Sequence, residues 1–242
     1  MKSLRVVVVL LAIACVSSVA SASLFVDDFE AYTAGSALHG QGGWKGWDND
    51  PSGGAPASNA QANSGSISAA IGGTADLVHE FDCAGGILEF SAMQYIPDGT
   101  TGESFFILLN QYNDGGPQDW SVQLNFNLGT GIVTSNFGGD ATASIVYGQW
   151  VELKFDIDLD GNTIDEYYNG TLLSTHVWDD TGNDTFGCID LFANGASPVY
   201  YDDIMLDNLT LRGIDLSGDE KINFKDFAVL AAWWLDGQLW PQ

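Results

Sequence analysis

Oxygen-bearing side chains recur near the end of the chain at the spacing that a hard divalent cation requires. In the twelve residues from Asp215 to Asp226 they occupy the first, third, fifth, ninth and twelfth places, and the seventh place can offer a backbone carbonyl. Calcium takes about six to eight oxygen ligands, and a short loop ahead of a helix can wrap around the ion in this way. The sequence therefore predicts a calcium site with the ligands Asp215, Ser217, Asp219, Lys221, Asn223 and Asp226.

The same segment has a second interpretation, in which it is a solvated acidic turn and Asn223 caps the following helix. The carboxylates of Asp215, Asp219 and Asp226 repel one another without a cation, so calcium binding and local folding should be coupled. The sixth place holds Glu220, where loops of this kind usually have glycine. A left-handed turn at a non-glycine residue costs roughly 1 kcal/mol, and we expect this cost to weaken calcium binding without removing the site.

Apolar side chains recur at helical spacing directly after this loop, which predicts a short helix with one apolar stripe. A unit of about 30 residues cannot bury enough apolar surface to be stable alone. The stripe must therefore pack on something, and three surfaces stay open: the chain's own β-domain, a second copy, or a foreign partner. The residues of the stripe are Phe224, Phe227, Leu230, Ala231 and Trp234.

The segment from Asp215 to Asp226, followed by Phe227-Ala-Val-Leu-Ala-Ala-Trp-Trp-Leu235, resembles one repeat of a type I dockerin. It is of the variety found at the C-termini of many secreted planctomycete proteins. Dockerin loops end in Asp, as this one does at Asp226. The resemblance covers residues 213 to about 236, and it implies a calcium-ordered module that attaches its carrier to a cohesin-like partner. Complete dockerins have two such repeats and this chain has one, so we treat residues 213–242 as a half repeat.

Polar and aromatic residues on the predicted strands could bind a sugar. Carbohydrate recognition combines planar hydrogen-bonding groups with an aromatic ring that stacks on the apolar face of the sugar. We expect such a set on one polar, concave side of the β-domain, although the same residues fit simple solvent exposure. The set is Glu89, Tyr95, Gln123, Asn125, Trp150 and Glu152.

The long loop from Gly40 to Gly65 carries two tryptophans, Trp44 and Trp47. Either ring could stack on a glycan, but a tryptophan that follows two glycines, as Trp44 does, is favoured as a plug of the core. The loop is rich in Gly, Ala, Ser and Asn, and its length makes it more typical of a segment that folds over the domain than of a linker.

The chain contains no complete catalytic constellation in its sequence. Glu80-Phe-Asp82 begins the E-x-D-x-x-E pattern of one family of jelly-roll glycosidases, but its last place is Gly85. Glu89 and Glu152 are the one pair of carboxylates on separate strands that could serve as acid and nucleophile or base. Neither H-E-x-x-H nor G-x-S-x-G occurs. The sequence favours a protein that performs no chemistry, with a polysaccharide hydrolase and a purely structural surface protein as alternatives.

Alternation of apolar and polar residues predicts the strands that must carry these side chains. Residues 151–158 alternate cleanly, and so do residues 120–127, where Trp120, Val122, Leu124 and Phe126 are expected on one face. Asn169-Gly170 between alternating runs predicts a hairpin turn. About a dozen such runs in residues 23–212 predict a mainly β domain of two packed antiparallel sheets, a sandwich or jelly roll.

Asp156, Asp158 and Asp160 could open a second calcium loop, but the twelfth place is Tyr167, and a hairpin turn explains the pattern better. Three segments resemble the first and last strands of concanavalin-like, laminin-G-like jelly rolls of secreted bacterial proteins. They are Asp27-Asp-Phe-Glu30, Gly40-Gln-Gly-Gly-Trp44 and Tyr201-Asp-Asp-Ile-Met-Leu206. The resemblance implies this fold for most of residues 23–212, and many members of the class bind or cleave polysaccharides.

The charge of the chain excludes two classes of partner. With 32 acidic and 7 basic residues, the formal net charge is −25, and no basic cluster gives a local exception. Such a surface repels phosphate backbones and anionic headgroups. We therefore expect no binding to nucleic acid and no membrane insertion.

The N-terminus predicts export. Lys2 and Arg5, the apolar run from Val6 to Ala14, and Ala20-Ser-Ala22 follow the order of a secretory signal, with cleavage after Ala22. The protein is then secreted, extracellular or at the cell surface. Removing the signal leaves two cysteines, Cys83 and Cys188, in a compartment where a disulfide can persist. They are expected either to form that disulfide or to remain two buried thiols.

The calcium loop generates a first test. The wild-type protein should bind one calcium ion in this segment, and the double variant Asp215→Ala, Asp226→Ala should lose it because two of the three carboxylates are gone. Titration calorimetry measures the stoichiometry, and chelation should lower the thermal stability of the tail. Equal calcium content in both proteins would refute the site.

Overall fold

A computed structural model describes residues 24–212, 216–217 and 224–235 of the chain. In these residues the strands pair antiparallel and form two sheets that pack as a sandwich, which confirms the predicted mainly β fold. The strands are β1 Phe25–Asp27, β2 Trp44–Gly46, β3 Ala57–Ser58, β4 Ser68–Gly73, β5 Asp76–Ala84, β6 Ile87–Tyr95, β7 Glu103–Gln111, β8 Asp119–Asn127, β9 Ile132–Ser135, β10 Ala141–Ser144, β11 Trp150–Asp158, β12 Thr163–Tyr168, β13 Thr171–His176, β14 Thr185–Asn194 and β15 Ala196–Asn208.

The two sheets have different strand orders, and both place strands that are distant in sequence side by side. The first sheet has the order β13-β12-β11-β6-β15-β4-β3, and β1 also pairs with β15. The second sheet has the order β10-β9-β8-β7-β14-β5-β2. The last strand of the sandwich, β15, therefore lies inside the first sheet, and β14 lies inside the second.

Helical structure in the described residues is short. Two 3₁₀ turns, Trp47–Asn49 and Pro51–Gly53, lie in the loop after β2, and α1 (Leu209–Arg212) follows β15. The helix α2 (Phe224–Leu235) belongs to a second compact unit, and the sandwich belongs to the unit Ser23–Ile214. None of the helices described is long and apolar enough to span a bilayer.

The main core lies between the sheets and follows the predicted alternation. Val151, Leu153, Phe155 and Ile157 are buried as expected. The rings of Phe155, from the first sheet, and Phe106, from the second, stack with centroids 5.3 Å apart and an interplanar angle of 5°. Such inward rings from both sheets pack together with the aliphatic side chains of the core and remove apolar area from water.

Trp44 is a plug of this core, as predicted. It is 1% exposed, and its ring stacks on that of Phe29 with centroids 5.8 Å apart. Its indole Nε1–H donates to Asp27 Oδ2 at 2.7 Å, and the hydroxyl of Tyr32 donates to the same oxygen at 2.6 Å. Asp27 thus satisfies the one polar atom of a ring that is otherwise in apolar surroundings.

A second apolar cluster covers the outer face of the second sheet. Val78, Ile107, Leu109, Tyr112 and Cys188 form its buried part, and Trp47, Phe105, Trp120 and Phe192 pack against it. The sequence prediction for Trp120 is therefore wrong, because this ring lies on the face opposite Val122, Leu124 and Phe126. The pairing of β7 with β8 shifts register on both sides of Leu109, opposite Trp120, and this shift breaks the alternation there.

The structure also corrects the predicted disulfide, because it holds Cys83 and Cys188 as free thiols. The two residues lie on the adjacent strands β5 and β14. Cys83 packs against the core between the sheets, whereas Cys188 belongs to the outer cluster. Thiols on opposite faces of one sheet cannot meet the geometry that a disulfide requires. A register shift between Phe186 and Cys188 turns Cys188 to the outer face.

The hairpin predictions are confirmed. Asn169 and Gly170 join β12 to β13 with φ of 49° and 73°, the left-handed conformation that such a turn needs. The strands β11 and β12 form the hairpin that was expected in place of a second calcium loop, with Asp158 opposite Thr163. Among the described residues, no group of three or more His, Cys, Asp or Glu side chains could hold a metal ion.

The positions of the thiols lead to a test. After unfolding without reductant, mature protein should take up two equivalents of iodoacetamide, one at each of Cys83 and Cys188, because no bond protects them. Peptide mass spectrometry locates the two labels. The native protein should react more slowly at Cys188, since burial raises the pKa of its thiol well above the usual range. A chain that is labelled only after reduction would contradict this assignment.

Candidate ligand-binding site

The structure divides the six residues predicted to form one ligand face between two sheets. Glu89 and Tyr95 on β6 and Trp150 and Glu152 on β11 alternate with core residues, so they share the outer face of the first sheet. Gln123 and Asn125 on β8 lie on the outer face of the second sheet. The two groups are on opposite sides of the sandwich. The expected single ligand face is therefore wrong.

The pair Glu89 and Glu152 is also not arranged for hydrolysis. Glu152 lies opposite Met93, and Glu89 lies four residues further along β6. At about 3.3 Å per residue this places the two carboxylates roughly 13 Å apart. Glycosidases hold theirs roughly 5–10 Å apart. Lys154 instead forms ion pairs with Glu89, at 3.5 Å, and with Asp156, at 2.7 Å, as is typical of a solvated face.

A cavity of about 290 Å³ opens on the outer face of the second sheet. Its walls come from the strands β5, β7, β8 and β14 and from the 3₁₀ turn after β2. Neighbouring strands bring these residues together, because Gln123 lies opposite Ile107, which in turn lies opposite Asp190. The lining residues are Trp47, Asp76, Ile107, Trp120, Gln123, Asp190 and Phe192. A second cavity of similar volume, beside Glu152 on the first sheet, has no aromatic ring in its lining.

Aromatic rings form one wall of the cavity. Trp47 and Trp120 stack with centroids 5.9 Å apart at an angle of 20°. The rings of Trp47 and Tyr112 form a T-shaped pair with centroids 4.9 Å apart. The turn that carries Trp47 is fixed by its neighbour Asp48. The backbone N–H of Asp48 donates to the Tyr112 hydroxyl at 2.8 Å, and its carboxylate accepts from the backbone N–H of Gly115 at 2.7 Å. The rings are therefore preorganised.

Two carboxyl groups form the polar part of the cavity. Asp190 is 3% exposed, and Asp76, opposite Phe192 on the adjacent strand, is half-buried. The Oδ1 atoms of both are buried without a hydrogen-bond partner. Burial raises the pKa of Asp190 well above its usual range, and the charge and hydrogen bond of Asp76 raise it further. The pKa of Asp76 is also raised, chiefly by burial, although its hydrogen bond with Asp190 opposes this.

We expect the two carboxyls to share a proton, because burial and the repulsion between two adjacent negative charges disfavour the doubly ionised pair. None of the lining residues is basic. Lys45 lies on the same face, beyond Val78, and it forms ion pairs with Glu80 and Asp114. The site therefore combines stacked aromatic rings with buried oxygen acceptors that have no partner within the protein.

Of the six predicted calcium ligands, the structure describes Ser217 and Asp226. The backbone N–H of Ser217 donates to Asp226 Oδ1 at 2.9 Å, so the third and twelfth places of the loop are in contact. Asp226 is 4% exposed, and Phe224 and Phe227 at the start of α2 are exposed. The other four ligands, Asp215, Asp219, Lys221 and Asn223, lie outside the described residues, as does the secretory signal. The calcium site stays a prediction.

Sequence reasoning missed most of the cavity, although it considered Trp47 as a stacking ring and included Gln123. It did not single out Asp76 or Asp190. A signal for Asp190 exists in the run Cys188-Ile-Asp-Leu-Phe, where one carboxylate interrupts a strand that is apolar on both faces. Such a run predicts burial on both sides, and a buried aspartate needs a partner or a function.

Comparisons with known proteins bear on the fold. No protein-family model matches the chain, and no curated protein matches it. A solved structure described as a sialidase aligns with 89% of this chain at 12% identity and a TM-score of 0.53, but this alignment covers only 20% of the sialidase. A carbohydrate binding module from Bacillus subtilis aligns with 69% of this chain and 96% of its own, at 14% identity and a TM-score of 0.45.

A family 22 carbohydrate binding module from Clostridium thermocellum aligns with 78% of this chain and 96% of its own length, at 14% identity and a TM-score of 0.42. The alignment with the sialidase agrees with the two-sheet architecture of this chain. At such low identity, the likeness concerns the architecture of the two sheets and not the residues of the cavity.

The carboxyl pair predicts an unusual dependence of stability on pH. Because the pKa of Asp190 is higher in the folded protein than its ordinary value of 3.8, folding is favoured while the group is protonated. The free energy of unfolding should fall as the pH rises above that value. Asp190→Asn removes this titration and supplies an amide that can donate to Asp76. The free energy of unfolding of the variant should equal that of the wild type at about pH 4 and exceed it as the pH rises.

Urea denaturation at a series of pH values measures this difference. The exposed residue Asp180 offers a matched control, because Asp180→Asn makes the same chemical change outside the cavity. In this control variant, the free energy of unfolding should depend on pH as it does in the wild type. A variant Asp190→Asn that is less stable than the wild type at neutral pH would contradict the shared proton.

Proposed function

We propose that this chain is a secreted, non-catalytic carbohydrate-binding or adhesion protein whose ligand site is the aromatic cavity of the second sheet. The observation that carries the proposal is the stacked pair Trp47 and Trp120 beside the buried carboxyls of Asp76 and Asp190. Sugars present apolar C–H faces and a rim of hydrogen-bonding groups, and an aromatic wall with a few convergent polar groups is complementary to both.

The size and setting of the cavity support a small part of a glycan as the ligand. A volume of about 290 Å³ is at the lower end of ligand pockets and suits a sugar ring better than a large molecule. The Oδ1 atoms of the two carboxyls offer acceptors, and the Gln123 side chain offers both a donor and an acceptor. Because turns and strands already fix these groups, little conformational entropy is lost when a ligand binds.

The geometry of the cavity suits the binding of a sugar better than its hydrolysis. A glycosidase needs two carboxyls that are separated by roughly 5–10 Å, so that the sugar, or the sugar and a water, fits between them. Asp76 and Asp190 instead lie side by side, as diagonal neighbours on the adjacent strands β5 and β14. Release of reducing ends from any glycan that binds would favour the alternative of a polysaccharide hydrolase. A purely structural surface protein would bind no glycan.

The C-terminal unit is proposed to be the attachment tail. Its support is the spacing of oxygen ligands from Asp215 to Asp226, together with the contact between Ser217 and Asp226 across that loop. With calcium bound, α2 would be ordered and could dock on a cohesin-like partner. Extracellular calcium at about millimolar levels suffices for a structural site of this kind. The pattern of residues 1–22 supports secretion, and the acidic surface disfavours nucleic acid and membrane partners.

Binding to a glycan array tests the proposed function. Trp120→Ala should weaken binding of the glycans captured by the wild type at least tenfold, about 1.4 kcal/mol, because it removes one ring of the stack. Trp150→Ala is the matched control, since this ring contacts Tyr95 on the outer face of the first sheet and should leave binding unchanged. Circular dichroism checks that both variants fold. Binding that depends on Trp150 and not on Trp120 would refute the site.

A further inference from the structure

The polar part of the cavity consists mainly of acceptors that lack a donor. Asp76 and Asp190 each bury an oxygen, Oδ1, that has no hydrogen-bond partner, and Asp190 is nearly inaccessible to water. On the neighbouring strand β8, Asn125 buries a further unpartnered Oδ1 opposite Phe105. Buried acceptors without a donor are costly, and two adjacent carboxyls need a positive charge or a proton between them.

The charged groups around the pair do not supply that positive charge. On the same face, β5 carries Glu80 and the turn after β2 carries Asp48, whose charge also acts on Asp76. Lys45 on β2 is held between Glu80 and Asp114. The lining residues from β7, β8 and β14 include Ile107, Gln123 and Phe192, which carry no charge. The proton that the two carboxyls share thus occupies a place suited to a cation.

A metal ion fits this place poorly. A calcium ion needs about six oxygen ligands or more, and magnesium needs about six in a strict geometry. The lining offers the two carboxyls and the side chain of Gln123, and its other members are Ile107 and three aromatic rings. Among the described residues, no cluster of three potential metal-binding side chains exists.

An ammonium group fits all the parts of the lining. It provides three donors for the carboxyl oxygens, and it is attracted to the faces of aromatic rings, most strongly to tryptophan. Two tryptophans and Phe192 line the same cavity. The net charge of −25 additionally attracts a positively charged ligand to the surface.

We propose that this site takes glycans that carry an unsubstituted, protonated amino group, with the ammonium held between Asp76 and Asp190 and the sugar ring against Trp47 and Trp120. The inference rests on the proposed function and adds the chemical class of the ligand. When such a ligand binds, the proton shared by the two carboxyls passes to solvent and the ammonium takes its place. Binding is therefore linked to the release of about one proton.

Three oligosaccharides that differ at a single substituent provide the experiment. β-1,4-linked oligomers of glucosamine, N-acetylglucosamine and glucose share one backbone, and at about pH 6 the first carries protonated amines. Titration calorimetry is performed in about 0.15 M salt, which screens charge interactions beyond about 8 Å. We expect the glucosamine oligomer to bind at least tenfold more tightly than the other two. Titrations in two buffers of different ionisation enthalpy should report the released proton.

Two variants separate the site from general attraction to an acidic protein. Asp190→Asn should reduce the tenfold preference for the amine to about threefold or less, because one of its two carboxylates is gone. Glu152→Gln makes the same change of charge on the exposed outer face of the first sheet and should preserve the preference. A preference that both variants retain equally would overturn the inference, since it would reflect net charge alone.

The outcomes also distinguish this inference from the proposed function. If all three oligomers bind equally and Trp120→Ala binds none of them, the preference for an amino group is refuted, and the cavity remains a carbohydrate-binding site. If none of the three oligomers binds while other glycans of the array do, the preference for an amino group is refuted as well. If no glycan binds, both the preference for an amino group and the proposed carbohydrate-binding function are refuted. If chelation of divalent ions abolishes binding, the carboxyls hold a metal ion in the cavity and not the ammonium group of the ligand.

Discussion

The cavity and the corrected cysteine assignment both depend on one register shift in β14. Phe186 faces the core between the sheets, and with unbroken alternation Cys188 and Asp190 would face it too. The shift at Gly187 turns both residues to the outer face instead. Glycine allows the strands to approach closely there, because a Cβ atom would make tight contacts of 3.0 Å with the backbone oxygen of Asn110 and 3.2 Å with the nitrogen of Tyr112. This close approach of β7 and β14 fixes which side chains reach the cavity.

The architecture could be predicted from the sequence because it depends on local patterns. Alternation in β11 identified its core face, and Asn169-Gly170 identified a turn. The assembly of the site could not be predicted, since it depends on pairings between distant segments. β6 pairs with β11 and β15, while β8 pairs with β7 and β9 in the other sheet. Alternation shows that Glu89 and Gln123 face away from the core, but it does not show that they do so on opposite sides of the molecule.

The two outer faces differ in a way that distinguishes a binding surface from a solvated one. On the first sheet, Lys154 forms ion pairs with Glu89 and Asp156, and its ammonium lies over the ring of Tyr167 at 4.7 Å from the centroid. On the second sheet, Asp190 is buried within an apolar cluster at a cost to the folded state. A residue that violates the local rules of a strand without compensation in the fold is typical of a functional position.

The placement of β15 constrains the order in which the molecule can form. This strand comes last in the sandwich, yet it lies between β4 and β6 and also holds β1 through the register of Phe25 with Leu206. Until residue 208 has been synthesised, the first sheet consists of two paired fragments, β13-β12-β11-β6 and β4-β3, and an unpaired β1, and each has open edges. Completion is therefore a late, non-local event, and the nascent polypeptide exposes edges that can pair wrongly.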